Sequence, residues 1–136
     1  MLKRLGGRLR RRSGVGAEVD ELLRLARASF VQMQAAWDRA DLHALGLLAT
    51  GPLLEELRCQ LAERGPAQNH TEVVSLQARL LSLDDLNEAQ VASFEFSGLI
   101  QEDSASGAAP FRELWLLANV KSAGSGWRLA RVQALA

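Results

Sequence analysis

The amino-acid sequence predicts an α+β domain in which three helices precede a four-stranded antiparallel sheet. In the first half of the chain, apolar residues recur every three or four positions, as on one face of a helix. From Thr71 onward they recur every second position, as in strands. The gaps between the predicted strands are short, so consecutive strands are expected to pair as a meander. With 136 residues, the chain is large enough for one domain with a single core.

The first predicted helix spans residues 18–40 and is the most regular element of the chain. Its apolar stripe consists of Val19, Leu22, Leu23, Ala26, Phe30, Met33 and Trp37. The acidic residues Glu18, Asp20 and Glu21 are expected in its first turn, where the helix dipole favours negative charge.

Two shorter helices are predicted next. Asp41 can cap a helix over residues 42–49, because a carboxylate at this position accepts hydrogen bonds from the first backbone N–H groups. Gly51-Pro52 starts a third helix, since proline suits the first helical position, and Gly65 can end it. The inner face of this helix is formed by Leu53, Leu54, Leu57 and Leu61.

The first predicted strand contains an irregularity. Val74, Leu76, Ala78 and Leu80 alternate with polar residues and are expected to face the core. The alternation slips at Leu80-Leu81, which predicts a β-bulge that bends the strand. A turn is predicted at residues 84–87. The remaining strands are expected at 89–100, 111–121 and 127–135, with a loop at 101–110.

The third strand is apolar on both faces. Phe111, Trp115 and Leu117 lie in one phase, and Leu114, Leu116, Ala118 and Val120 lie in the other. A sheet with helices on one side normally exposes its other face to water. The second face is therefore expected to meet a protein partner, a second copy of the chain or a membrane surface.

Charge is divided unevenly along the chain. Residues 1–17 are predicted to form a flexible basic arm, and residues 18–136 the folded domain. The arm carries six cations and no acid in its first twelve residues: Lys3, Arg4, Arg8, Arg10, Arg11 and Arg12. All sixteen acids and the other ten cations follow, so the net charge of zero combines a basic arm with an acidic body.

Three environments suit the arm. An anionic membrane would attract it by about 1 kcal/mol per cation, and Leu2, Leu5 and Leu9 share one helical face that could insert. A solvated tail is the simplest alternative. Nucleic acid is unfavoured, because the body is acidic and no aromatic residue stands among the arginines to stack on bases. The sequence contains no apolar run of about 18 residues and no signal-peptide core, so only peripheral membrane contact is expected.

The aromatic residues have two interpretations. They could line an apolar pocket in a curved sheet, or they could form ordinary core. The set is Trp37, Phe94, Phe96, Phe111, Trp115 and Trp127.

No catalytic, metal or cofactor site is predicted. The inward strand positions are expected to carry no acid or histidine, and Asp38 and Asp41 are expected near the rim. His43 and His70 have no evident partner. A single cysteine, Cys59, excludes an internal disulfide and a four-cysteine zinc site.

Three segments resemble the Tim44-like domain family. They are residues 30–38 (FVQMQAAWD) with Asp41-Leu42, residues 56–74 from Glu56-Leu57 to Val73-Val74, and Phe111–Trp115 with its echo at residues 126–133. The likeness covers about residues 18–136. Long, bent strands with helices in their concavity also resemble the cone of the nuclear transport factor two-like superfold.

This resemblance implies a non-enzymatic scaffold. The family's name-giver tethers the import motor of the mitochondrial inner membrane, and a mitochondrial ribosomal protein shares the domain. The resemblance thus implies a peripheral module linked to protein translocation or membrane-protein assembly. Its expected location is the cytoplasmic side of a bacterial inner membrane, or the mitochondrial matrix. The alternatives are a carrier of a small apolar ligand and a ribosome-associated module.

Overall fold

The computed structural model describes residues 13–66, 69–102 and 107–135 of the chain. Three helices come first, α1 (Ser13–Asp38), α2 (Leu42–Leu48) and α3 (Gly51–Arg64). Four strands follow, β1 (Glu72–Asp85), β2 (Ala89–Gln101), β3 (Ala109–Val120) and β4 (Trp127–Ala134). They form one antiparallel sheet in the order β1-β2-β3-β4. The predicted α+β architecture is confirmed.

Helix α1 begins earlier than its sequence predicts. It starts at Ser13 and includes Gly14 and Gly16, so five residues assigned to the arm are helical. A glycine costs a helix about 1 kcal/mol, but each added residue also gains a backbone hydrogen bond on an existing helix. Glu18 consequently lies beyond the first turn, which contains no acid. The name basic arm is kept below for residues 1–12, which lie outside the described residues.

The two short helices begin and end as predicted to within a residue. The Asp41 carboxylate accepts a hydrogen bond of 3.0 Å from the backbone N–H of Ala44, and this bond lowers the pKa of Asp41. At the end of α3, Gly65 adopts φ +77° and its N–H donates to Leu61 O. Between α2 and α3, the N–H of Thr50 donates to Leu129 O at 2.8 Å and ties this corner to β4.

Strand β1 contains two bulges. The predicted one is present, since Leu80 pairs with Phe94 and Ser82 with Ser93, leaving Leu81 between them and 46% exposed. A second shift between Val73 and Ser75 was not predicted. This shift turns Val74 outward, so the expectation that Val74 faces the core is wrong. Because β1 is an edge strand, the two bulges also make it a poorer template for pairing with other chains.

Gly98 of β2 accommodates the second bulge. It has φ +151°, and a Cβ atom at this position would lie 2.1 Å from the carbonyl oxygen of Ser75. Any side chain would therefore push β1 and β2 apart. This glycine permits the close approach of the two strands.

The core fills the concave face of the sheet. The ring of Phe30, on α1, lies 4.9 Å from Phe96, 5.0 Å from Trp115 and 5.4 Å from Phe111, measured between centroids. Phe30 and Phe96 are completely buried, and Trp115 is 1% exposed. Phe30 thus occupies the middle of the cone. No helix in the described ranges has the length and hydrophobicity to cross a bilayer.

Candidate binding groove

An open groove of about 600 Å³ lies where α1 ends and the sheet is left uncovered. Four elements form its walls, which are lined by Met33, Gln34 and Trp37 of α1, Leu53, Glu56, Leu57 and Gln60 of α3, Glu113 and Trp115 of β3, and Ala130, Arg131 and Val132 of β4. Apolar and polar side chains both line it, and the polar ones come from all four elements. Such a combination suits a ligand with an apolar part and a hydrogen-bonding part.

Glu113 is the groove's inner acid. It shares the inward phase of β3 with Phe111 and Trp115 and is partly buried. The indole Nε1–H of Trp115 donates to Glu113 Oε1 at 2.9 Å, which orients the carboxylate. The expectation that inward strand positions carry no acid is therefore wrong. The alternation of residues 111–115 already indicated that Glu113 faces inward together with Phe111 and Trp115.

Trp37 is held in place by an arginine that sequence reasoning missed. The guanidinium carbon of Arg64 lies 5.3 Å from the Trp37 ring centroid, a cation–π distance. Arg64 Nη1 also donates to the backbone oxygen of Trp37 at 2.6 Å. These contacts join the ends of α1 and α3, which form two walls of the groove. Nothing in the periodicity of either helix indicates this pairing.

Asp38, the last residue of α1, holds the segment that leads into β1. Its carboxylate accepts hydrogen bonds from the backbone N–H of Thr71 (2.6 Å), the Thr71 hydroxyl (2.8 Å) and the Asn69 amide (3.1 Å). The start of β1 is thereby fixed against the end of α1. The Asp38 carboxylate thus links α1 to β1 through hydrogen bonds. The Asp41 carboxylate caps the N-terminus of α2.

The groove holds three ionisable residues, Glu56, Glu113 and Arg131. Arg131 donates to Gln133 at 3.1 Å, and Glu113 accepts from Trp115. No hydrogen bond or ion pair joins the three to one another among the described residues. Two carboxylates against one guanidinium give the groove a negative balance, which favours a partner that supplies donors or positive charge.

The predicted aromatic set does not converge on one pocket. Trp37 and Trp115 line the groove, whereas Phe94 and Phe96 are fully buried core residues and Phe111 packs against Phe30. Trp127 lies at the opposite end of the sheet, in a smaller hollow with Leu22 and Leu83. Phe30 fills the space that a central pocket would require. The arm's six cations lie outside the described residues.

The outer face of the sheet is partly apolar. Leu114, Leu116 and Ala118 of β3 are each half-buried there. Beside them Glu95 accepts hydrogen bonds from both Arg79 and Arg112. These two bonds, that from Arg112 foremost, lower the pKa of Glu95. The sequence-predicted apolar phase of β3 is thus present on this face, next to a charged cluster.

A family model described as the Tim44-like domain matches residues 14–134 of the chain. No curated protein matches the chain. Among solved structures, the chain is similar to the intermembrane space region of the chloroplast protein ARC6, with a TM-score of 0.57 and 15% identity, over 84% of this chain and 96% of that one. It is also similar to a nuclear transport factor 2 (NTF2-like) superfamily protein from Salmonella enterica serovar Typhimurium, with a TM-score of 0.53 and 12% identity, over 86% and 92%. At these identities the two structures support the cone fold alone.

Proposed function

Because this chain belongs to the Tim44-like domain family, we propose that it is a non-enzymatic scaffold that binds a protein segment in its groove and contacts an anionic membrane through its basic arm. The family suggests a role in protein interaction related to translocation. We further propose a peripheral location, on the cytoplasmic side of a bacterial inner membrane or on the matrix side of a mitochondrial one. The groove between α1, α3 and the sheet is the observation that carries this proposal.

The groove suits a polypeptide segment. It is an open groove, and amide and carboxylate groups at Gln34, Gln60 and Glu56 line it beside the apolar side chains of Trp37 and Leu57. Amides offer both donors and acceptors, which can pair with a peptide backbone. The negative balance at Glu56 and Glu113 favours a segment with an apolar side chain next to a lysine or arginine.

A small apolar ligand is the second candidate for the same groove, favoured by the apolar surface of Trp37 and Leu57. The two candidates differ in extent, since a polypeptide would extend past Gln60 and a small ligand would stay beside Trp37 and Leu57. Native mass spectrometry of the purified protein would reveal a tightly held small molecule as an added mass.

Site-specific photo-crosslinking in cells tests the proposal. A benzophenone residue at Gln60, on the border of the groove, should give a discrete protein adduct, and Leu57→Glu in the same chain should abolish it. The matched control is the same probe at Glu63, which is exposed on α3 outside the groove. An adduct of equal yield from both positions, or one that survives Leu57→Glu, would contradict binding in the groove.

A further inference from the structure

The end of the molecule opposite the groove combines an apolar hollow with acidic side chains. The hollow, of about 350 Å³, is lined by Leu22 and Leu25 of α1, Leu83 of β1 and Trp127 of β4, with Glu18, Glu21 and Gln90 at its border. Asp84 and Asp85 directly follow Leu83, and Glu88 lies in the turn to β2. We call this surface the acidic end, defined by Glu18, Asp20, Glu21, Asp84, Asp85 and Glu88.

Most of its charge is uncompensated within the described residues. Glu21 pairs with Arg24 at 2.6 Å, and Asp85 pairs with Lys121 at 2.9 Å. In the described part of the chain, the other four carboxylates of the acidic end form no ion pair. Both existing pairs are exposed, so they contribute little energy and leave the local field negative.

The basic arm joins the body at this end. Glu18 follows Ser13, the first residue of α1, by five residues, or about 8 Å along a helix. Twelve residues can span up to about 40 Å when extended, so residues 1–12 easily reach the hollow. The helix dipole also makes the N-terminus of α1 an unfavourable place for six cations, and nearby carboxylates relieve that cost.

We propose that the basic arm of the same chain docks on the acidic end. Its cations pair with carboxylates of the acidic end, foremost Glu18 beside the hollow, and its leucines, Leu2, Leu5 and Leu9, contact the hollow beside Trp127. Covalent linkage makes this contact intramolecular, at an effective concentration that a separate chain does not reach. An anionic membrane then competes with the acidic end for the arm. Because only chains with an undocked arm can bind the membrane, the apparent membrane affinity is the intrinsic affinity multiplied by the fraction of such chains.

Paramagnetic relaxation in solution tests docking without any lipid. A spin label at Gly7→Cys, in a Cys59→Ser background, should weaken the indole N–H signal of Trp127 at least about two-fold relative to Trp37 and Trp115, because only Trp127 lies at the acidic end. High salt should restore the signal, since the contact is electrostatic. Equal signals from the three indoles at low salt would overturn the proposal. A second control mixes spin-labelled chains with separate, isotopically enriched chains that carry no label. A weakened Trp127 signal in this mixture would also overturn the proposal, because the arm would then dock on a second copy.

Vesicle binding tests the competition. Removing the two acids that line the hollow, Glu18→Gln with Glu21→Gln, should tighten binding to phosphatidylglycerol-containing vesicles by about 3- to 10-fold. The matched control removes two exposed acids elsewhere, Glu63→Gln with Glu72→Gln, and should change binding less than about two-fold, because it alters only the overall charge. An equal gain in both variants would overturn the competition. This second test rests on the proposed membrane contact, whereas the relaxation test does not, so the two can fail separately.

Discussion

The indole N–H of Trp115 donates a hydrogen bond of 2.9 Å to Glu113, which fixes a carboxylate in the lining of the groove. Trp115 is almost completely buried, so its N–H has little access to water. The bond therefore satisfies a buried donor and orients an acid toward the groove at the same time.

Replacement of Glu113 should separate these two effects. Glu113→Ala removes the acceptor and should lower the free energy of unfolding by about 1–3 kcal/mol, because the indole N–H is left without a partner. Glu113→Gln keeps an acceptor and should cost less than about 0.5 kcal/mol. Urea unfolding followed by circular dichroism measures both. Equal stabilities of the two variants would contradict the role assigned to this bond.

Phe30 should be among the most sensitive core positions. It contacts three other aromatic rings and is completely buried, so Phe30→Ala should cost about 3–5 kcal/mol through lost burial and a residual cavity. The neighbouring residue Val31 is 50% exposed and provides the control. Val31→Ala should cost less than about 0.5 kcal/mol. A small loss for Phe30→Ala in thermal or urea unfolding would contradict the idea that this ring fills the cone.

Glu95 should make stability depend on pH. Hydrogen bonds from Arg112 and Arg79 lower its pKa in the folded state below the ordinary value of a glutamate. A group with a depressed folded pKa stabilises the protein above its unfolded pKa and loses that effect as pH falls through the folded pKa. Glu95→Gln should therefore destabilise the protein at pH 7, and the difference from the unmodified protein should shrink below about pH 4.

Urea midpoints at pH 7, 5 and 3 would check this dependence. Glu63→Gln, at an exposed acid of α3, serves as the control and should show no such trend. A difference between Glu95→Gln and the unmodified protein that stays constant from pH 7 to pH 3 would contradict the ion-pair account.

Gly98 should tolerate no side chain. Gly98→Ala places a methyl group against the Ser75 carbonyl in a backbone conformation that L residues rarely adopt, at a cost of at least about 1–3 kcal/mol. Gly51, in the first turn of α3, has open space around it. Gly51→Ala should be neutral or slightly stabilising, because alanine favours a helix. Similar denaturation midpoints for the two variants would exclude the close contact between β1 and β2.

Periodicity was sufficient to predict the elements and their order. The helix stripe around Phe30, the cap at Asp41 and the stop at Gly65 are local features, and each is present in the structure. The bulge at Leu81 was also predictable, because the alternation breaks at two consecutive apolar residues, Leu80 and Leu81. The predicted start of α1 was wrong, because Gly14 and Gly16 disfavour a helix locally. The hydrogen bonds gained by extending the existing helix outweigh that cost.

Contacts between distant segments were not predictable from periodicity. The bulge at Val74 depends on Gly98 across the sheet, and the placement of Arg64 over Trp37 depends on how α1 and α3 meet. For the same reason the aromatic residues could not be divided into core and groove, because Phe30 reaches the strands only in the folded chain. Glu113 differs from these cases, since its inward phase was evident from its neighbours Phe111 and Trp115.

Vesicle sedimentation tests the central claim, that the basic arm is the part of the chain that binds an anionic membrane, most directly. The full chain should pellet with phosphatidylglycerol-containing vesicles at low salt and be released at high salt, because about 1 kcal/mol per cation is screened. It should not pellet with neutral phosphatidylcholine vesicles, and replacing the six cations of residues 1–12 by serine should abolish binding in a variant that still unfolds cooperatively in urea. Equal pelleting with anionic and neutral vesicles, or none with either, would contradict the account.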